Sequence, residues 1–147
     1  MSKIEELEKK IEERREAREK AEEAQYEIDL AARLDLEEEF GKVSEIRVTS
    51  YREGFPTRAY VRTPRAVEYK RYKDILHRAH AAKNTKQVQD AGDQLARACW
   101  VYPAQSSDGG ESPEQKAMLD AFPGLLVSIN IVAAKLAEGR MGEEGKD

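Results

Sequence analysis

Few side chains in this chain are of types that could do chemistry, and their spacing argues against most of it. His77 and His80 stand three apart on one helical stretch, close to metal-ligand spacing. The nearby carboxylate is Asp74, and no HExxH run or cysteine pair accompanies them. Both imidazoles read as surface residues of a basic helix. Asp108-Gly109-Gly110-Glu111 looks like a fragment of a calcium loop but lacks the ligand series. Ser106 and Ser107 have no base beside them in sequence, and two histidines give a Ser-His-Asp assembly little to draw on. No GxGxxG, Walker or GxSxG run occurs. Cys99 is the sole cysteine, so it forms no internal disulfide, and on an apolar helix face it reads as a reduced core residue. The expectation is a protein that is not an enzyme, with no catalytic, cofactor-binding or metal residues and no cofactor.

The elements read as mainly α, of α+β type. Ser2 and Glu5 suit a capping box ahead of a long helix from Lys3 to about Glu39, stopped by Gly41. Pairs such as Glu5–Lys9 and Glu16–Lys20 support it locally. Its apolar stripe recovers as Ala17, Ala21, Ala24, Ile28, Leu30 and Leu34; its first half should project, and its second half, from about Tyr26, should dock on the domain. Val43–Tyr51 and Thr57–Arg62 alternate and flank the turn Arg52-Glu53-Gly54-Phe55-Pro56, a β-hairpin. Two strands are marginal alone, so the hairpin must pack on a helix or find another strand in a partner.

A bundle of three to four short helices should follow. Thr63 as N-cap and Pro64 at the first position open a helix with Val67, Tyr72, Ile75, Leu76 and Ala79 inward. Asn84 suits its end and Thr85 the next cap. That next helix carries Val88, Ala91, Leu95, Ala98, Cys99 and Tyr102 inward and stops at Pro103. After a polar loop, Ser112-Pro113 starts a helix with Met118, Leu119 and Phe122 inward. Pro123-Gly124 breaks it, and Leu125, Leu126, Ile129, Val132, Ala133 and Leu136 build the most apolar helix, ended by Gly139. The parts are a charged helical arm over 1–40, a hairpin and helical domain over 41–139, and a polar tail over 140–147.

Charge is uneven. Residues 1–40 carry 8 Lys/Arg against 15 Asp/Glu, residues 42–89 carry 12 against 4, and residues 90–147 carry 5 against 10. Such alternation favours contact between acidic and basic parts, within a chain or between copies, and leaves a homo-oligomer open. The basic middle lacks a nucleic-acid docking motif or stacking platform, so nucleic acid is not the expected partner. No apolar run is long enough to span a bilayer and Met1 leads straight into charges. The expectation is a soluble intracellular protein with no membrane partner.

Surfaces for binding another polypeptide are the remaining candidates. Ile4, Leu7 and Ile11 fall at heptad spacing near the tip of the arm, a coiled-coil seam barely two heptads long. Tyr69, Tyr72, Trp100 and Phe122 are the aromatic candidates for facing a partner.

Val61-Arg62-Thr63-Pro64 leads into Glu68-Tyr69-Lys70-Arg71-Tyr72. Leu95–Pro103 (LARACWVYP), Ala121-Phe122-Pro123-Gly124-Leu125 and a final helix ending in Ala137-Glu138-Gly139 follow. Over about residues 57–139 this order resembles the tail assembly chaperones of long-tailed bacteriophages. The long charged N-terminal helix is not assigned to that group's shared core. The resemblance implies a non-enzymatic protein of the bacterial host cytoplasm during virion assembly. It would bind the tape-measure protein and the tail-tube protein and assist tail-tube assembly. The alternative is a structural accessory protein retained in the virion, in tail or head.

Overall fold

The computed structural model describes residues 2–48 and 54–139. The expected strand end at Thr49–Tyr51, Arg52 and Glu53 of the turn, and the tail over 140–147 lie outside the described residues. The chain is mainly helical, with a long N-terminal helix, a small antiparallel sheet and a helical C-terminal region.

Helix α1 runs over Lys3–Phe40. The Ser2 side chain accepts from the Glu5 N–H at 3.1 Å, and Gly41, at φ +77°, returns its N–H to the Glu37 carbonyl. A left-handed residue at a helix end satisfies a carbonyl that would otherwise lack a partner, and glycine adopts it without strain. Strands β1 (Val43–Arg47) and β2 (Arg58–Arg62) pair antiparallel, with Val43 opposite Arg62 and Arg47 opposite Arg58. Helices α2 (Ala66–Ala81) and α3 (Thr85–Cys99) follow, then a third strand, β3 (Trp100–Tyr102), and helices α4 (Pro113–Ala121) and α5 (Leu125–Ala137).

The strand β3 corrects the expectation that α3 continues to Tyr102. Trp100, Val101 and Tyr102 are strong strand formers, and the open side of β2 gives their backbone a ladder to join. Tyr60 stands opposite Tyr102 and Val61 opposite Trp100, with a bulge between. The Trp100 indole N–H donates to the Tyr102 carbonyl at 2.7 Å, and the Tyr102–Pro103 peptide is cis. The hairpin's missing strand therefore comes from its own chain.

Two caps also differ from the sequence reading, one later and one earlier. Arg65, not Thr63, is the N-cap of α2: the Glu68 carboxylate accepts its N–H at 2.8 Å, while Pro64 stays in extended backbone ahead of the helix. Asn84, not Thr85, caps α3, accepting from the Gln87 N–H at 3.1 Å. Ser112 caps α4 as expected, with Gln115 completing the reciprocal pair.

The sheet is covered on both faces, so Ala59, Tyr60 and Val61 of β2 are all fully buried. Ala59 and Val61 point to the larger core, where Leu95 and Cys99 of α3, Met118 of α4, and Leu125, Ile129, Ala133 and Leu136 of α5 meet. Tyr60 points the other way, into a smaller cluster with Val43 and Val101 under Leu36 and Phe40 of α1. Helix α2 packs mainly on α3. Its first expected core residue, Val67, is 72% exposed, because it lies in the first turn, about 120° round the helix from the buried Ala79.

Close approach of α3 and α5 rests on Gly92. A Cβ there would lie 2.7 Å from Asn130 Nδ2 and 3.3 Å from its Cγ. Asn130 is half-buried, with its Oδ1 buried and without a hydrogen-bond partner. Gly92→Ala is expected to cost about 1–3 kcal/mol despite its better helix propensity, because the added methyl must displace a packed amide. Urea unfolding of the two proteins checks this; a stabilised variant would show that Asn130 moves freely.

Candidate functional site

The apolar stripe of α1 includes Ile28, Leu30 and Leu34. The structure places those side chains outward, 59%, 39% and 69% exposed. The docked face is polar at its centre. Asp29 is fully buried. One carboxyl oxygen accepts from the Tyr102 hydroxyl at 2.6 Å and from the Gln25 amide at 3.0 Å. The other accepts from the Thr57 N–H at 2.8 Å and from the Thr57 hydroxyl. The Asp29 main-chain carbonyl accepts from the Tyr60 hydroxyl at 2.8 Å. A buried carboxyl group is tolerable when its oxygens are this fully occupied. Burial, and then the neighbouring Asp29, push both tyrosine hydroxyls up, Tyr60 to about 12 and Tyr102 further in the same direction.

This arrangement positions the arm. Ile11 precedes Asp29 by 18 residues, about five turns at roughly 3.6 residues each, so it lies on the docked face. Ile4 and Leu7 fall close to the same line. Beyond the sheet that face has nothing beneath it among the described residues, and Ile4, Leu7 and Ile11 are 69%, 49% and 64% exposed. The projecting residues 2–20 carry seven bases and seven acids, so the arm is neutral. The acidic excess lies wholly in residues 21–40, with one base against eight acids.

The four aromatic candidates do not form one patch. Tyr69 and Tyr72 are neighbours on α2, ring centroids 6.1 Å apart. The Tyr69 hydroxyl donates to Glu138 at 2.8 Å, and Tyr72 packs on the larger core. Phe122 is half-buried edge-to-face with Phe55 at 6.3 Å. Trp100 is a correction: it is 1% exposed, its ring lies in the larger core, and it has no surface to offer a partner. Strand pairing of β3 turns it inward.

A second polar device, also unforeseen, joins β2 to α2 and α3. Arg62 makes a two-pronged ion pair with Glu68 at 2.8 and 2.9 Å and donates to the Ala98 carbonyl at 2.9 Å and the Thr63 carbonyl at 3.1 Å. Its alternation in the strand makes it look solvent-facing, yet it is only 7% exposed. The Arg62 hydrogen bonds hold the Glu68 carboxyl below the usual carboxylate range, against the opposing effect of burial.

Beside this pair a groove runs between α2 and α3. Two adjoining hollows of about 180 and 490 Å³ share Ile75, Ala91 and Gln94. Buried Ala91 and Leu95 floor it, Tyr72 and Ile75 wall it, and Arg71 and Arg78 stand at its rim. His77 and His80 are exposed, and no group of three or more His, Cys, Asp or Glu converges among the described residues. The Cys99 thiol is fully buried, and burial pushes it up to about 11, so it stays protonated at neutral pH. No family model, curated protein or solved structure matches the chain.

Two expectations follow from these polar devices. Asp29→Ala leaves the Gln25, Thr57 and Tyr102 donors without their acceptor and should cost about 3 kcal/mol, with Tyr102→Phe costing about 1 kcal/mol. Urea unfolding measures both; equal and negligible losses would show that α1 is held by its apolar contacts alone. Glu68→Gln should cost about 2 kcal/mol at neutral pH, the partial exposure of Glu68 reducing the cost of a wholly buried pair. Because folding lowers this carboxyl's affinity for protons, the unfolded chain binds more of them in acid. The pair's contribution is therefore full above the unfolded value, near pH ~4.3, and is lost as pH falls through the folded value. The gap between wild type and Glu68→Gln should close over that window, and a gap unchanged down to the lower value would refute the ion pair as its source.

Proposed function

We propose that this protein is a non-enzymatic assembly chaperone that covers apolar helical surface on another polypeptide. The partner is a phage tape-measure protein, with the tail-tube protein recruited alongside. The observation that carries this reading is the tip of α1, where Ile4, Leu7 and Ile11 are exposed on the face that, further along, is docked. A helix this polar gains little by holding three large apolar side chains in water. A two-heptad seam is too short to be a stable coiled coil by itself but suits one helix laid along another. A neutral arm with both signs interspersed adapts to a long helix of mixed charge without like-charge repulsion. The resemblance over residues 57–139 supplies the identity of the partner, and the elements it spans run unbroken from β2 to α5.

A pull-down with the tape-measure protein tests it. Changing Ile4, Leu7 and Ile11 together to Asp should lower capture at least ~10-fold, since each seam side chain buried is worth about 1–2 kcal/mol. Far-UV circular dichroism confirms that α1 persists. Undiminished capture removes the arm from the mechanism. Mass spectrometry of purified virions separates chaperone from retained accessory protein, because a chaperone leaves before the tail is complete.

A further inference from the structure

Two oppositely charged surfaces of this chain cannot meet within one molecule. The first is the outer flank of α1, where Leu30 and Leu34 sit one turn apart, 39% and 69% exposed. Exposed Glu23, Glu27 and Glu38 lie along the same flank, within the stretch that carries one base against eight acids. The second is the α2–α3 groove, apolar at Ile75 and Leu95 and rimmed by Arg71 and Arg78; its two lining acids, Glu68 and Asp90, are paired with Arg62 and Lys86. Helix α1 lies over the sheet face that Tyr60 shows, whereas α3 lies over the face that Ala59 and Val61 show. The outer flank of α1 is turned away from both the sheet and the layer beyond it.

We infer that the two surfaces meet between copies of this chain: the outer flank of α1 in one molecule seats in the α2–α3 groove of the next. Two side chains four residues apart on a helix are the usual anchors for a helix laid in an apolar groove. Leu30 and Leu34 supply them, and the two hollows of the groove adjoin at Ile75. Acidic flank against basic rim fixes the direction of seating and steers encounter. The same charges disfavour a symmetric pairing of two α1 flanks, which would set two strongly acidic surfaces together. Because flank and groove are different surfaces, the contact is head to tail, and it extends unless the rotation closes a ring. Ile4, Leu7 and Ile11 lie on another face of α1 and stay free for a different partner, so this inference does not depend on the proposed function.

Sedimentation velocity on the full chain tests the inference. The average mass should rise with concentration above the 16.7 kDa of one chain and fall back as salt is added. Leu34→Glu spoils the flank and Arg71→Glu with Arg78→Glu spoils the rim. All three positions are exposed, so the variants should fold, and circular dichroism verifies that they do. Each variant alone should sediment as a monomer. An equimolar mixture should give a species of twice the monomer mass and none larger, since one variant keeps its groove and the other its flank. The inference is overturned if the wild type stays monomeric at every concentration, if both variants still associate, or if the mixture does not pair.

Discussion

A single buried carboxyl group decides where the longest element of this protein points. Asp29 is held by donors from three places: Gln25 on its own helix, Thr57 at the start of β2, and Tyr102 on β3. Tyr60 takes the adjacent main-chain carbonyl, so both outer members of the hub belong to strands that are themselves paired. Leu36 and Phe40, near the end of α1, pack on the smaller cluster. Hydrophobic contact tolerates sliding and rotation, whereas a carboxyl group with both oxygens engaged does not. Asp29 lies 25 residues from Ile4, about 37 Å along a helix rising roughly 1.5 Å per residue, so a small rotation at the hub sweeps the tip widely. The polar contact sets direction, and the apolar contacts supply much of the adhesion.

The sequence made this half visible and half hidden. Helix ends were plain where a residue has one conformational use: Ser2, Gly41, Ser112 and Gly139 all stand where the pattern places them. The apolar run of α5 faces inward as its periodicity requires. The docked face of α1 was hidden because Ile28, Leu30 and Leu34 form the obvious stripe, while the residue that docks is the acid between two of them. Burying Asp29 is favourable only because Thr57 and Tyr102 converge on it, and no local pattern reports donors 28 and 73 positions away. Arg62 was hidden in the same way, since strand alternation assigns it to solvent when only one face of the sheet is covered. Trp100 was misjudged with β3: a helix reading leaves its ring near a surface, and strand pairing closes it into the core.

The two polar devices both tie neighbouring elements to β2 and solve one problem. The strand is covered on both faces, so each layer must be held at a defined angle as well as glued. Asp29 registers α1 from the Tyr60 side, and Arg62 registers α2 and the end of α3 through Glu68 and the Ala98 carbonyl. Buried ion pairs add little net stability over apolar replacements, but an unpaired member is costly, so misaligned packings are penalised. Small residues such as Ala96 and Ala133 in the larger core, and Gly92 between α3 and α5, can then let backbones approach closely without themselves defining a register.

The division of charge along α1 separates two kinds of surface on one helix. Residues 1–20 balance acids and bases, and the charged residues of 21–40 are eight acids and one base, yet a helix would form equally well with the acids spread evenly. Concentrating them costs stability through mutual repulsion. Arg33 and Arg58 offset part of that cost by bridging to Glu37 and Glu45 at the sheet, and Arg58 also stacks on the Tyr26 ring at 4.3 Å. The flank facing away from the sheet receives no such compensation from these bridges. A strongly acidic flank with exposed leucines in it suits one half of a contact, and Arg71 and Arg78 at the rim of the α2–α3 groove carry the opposite sign.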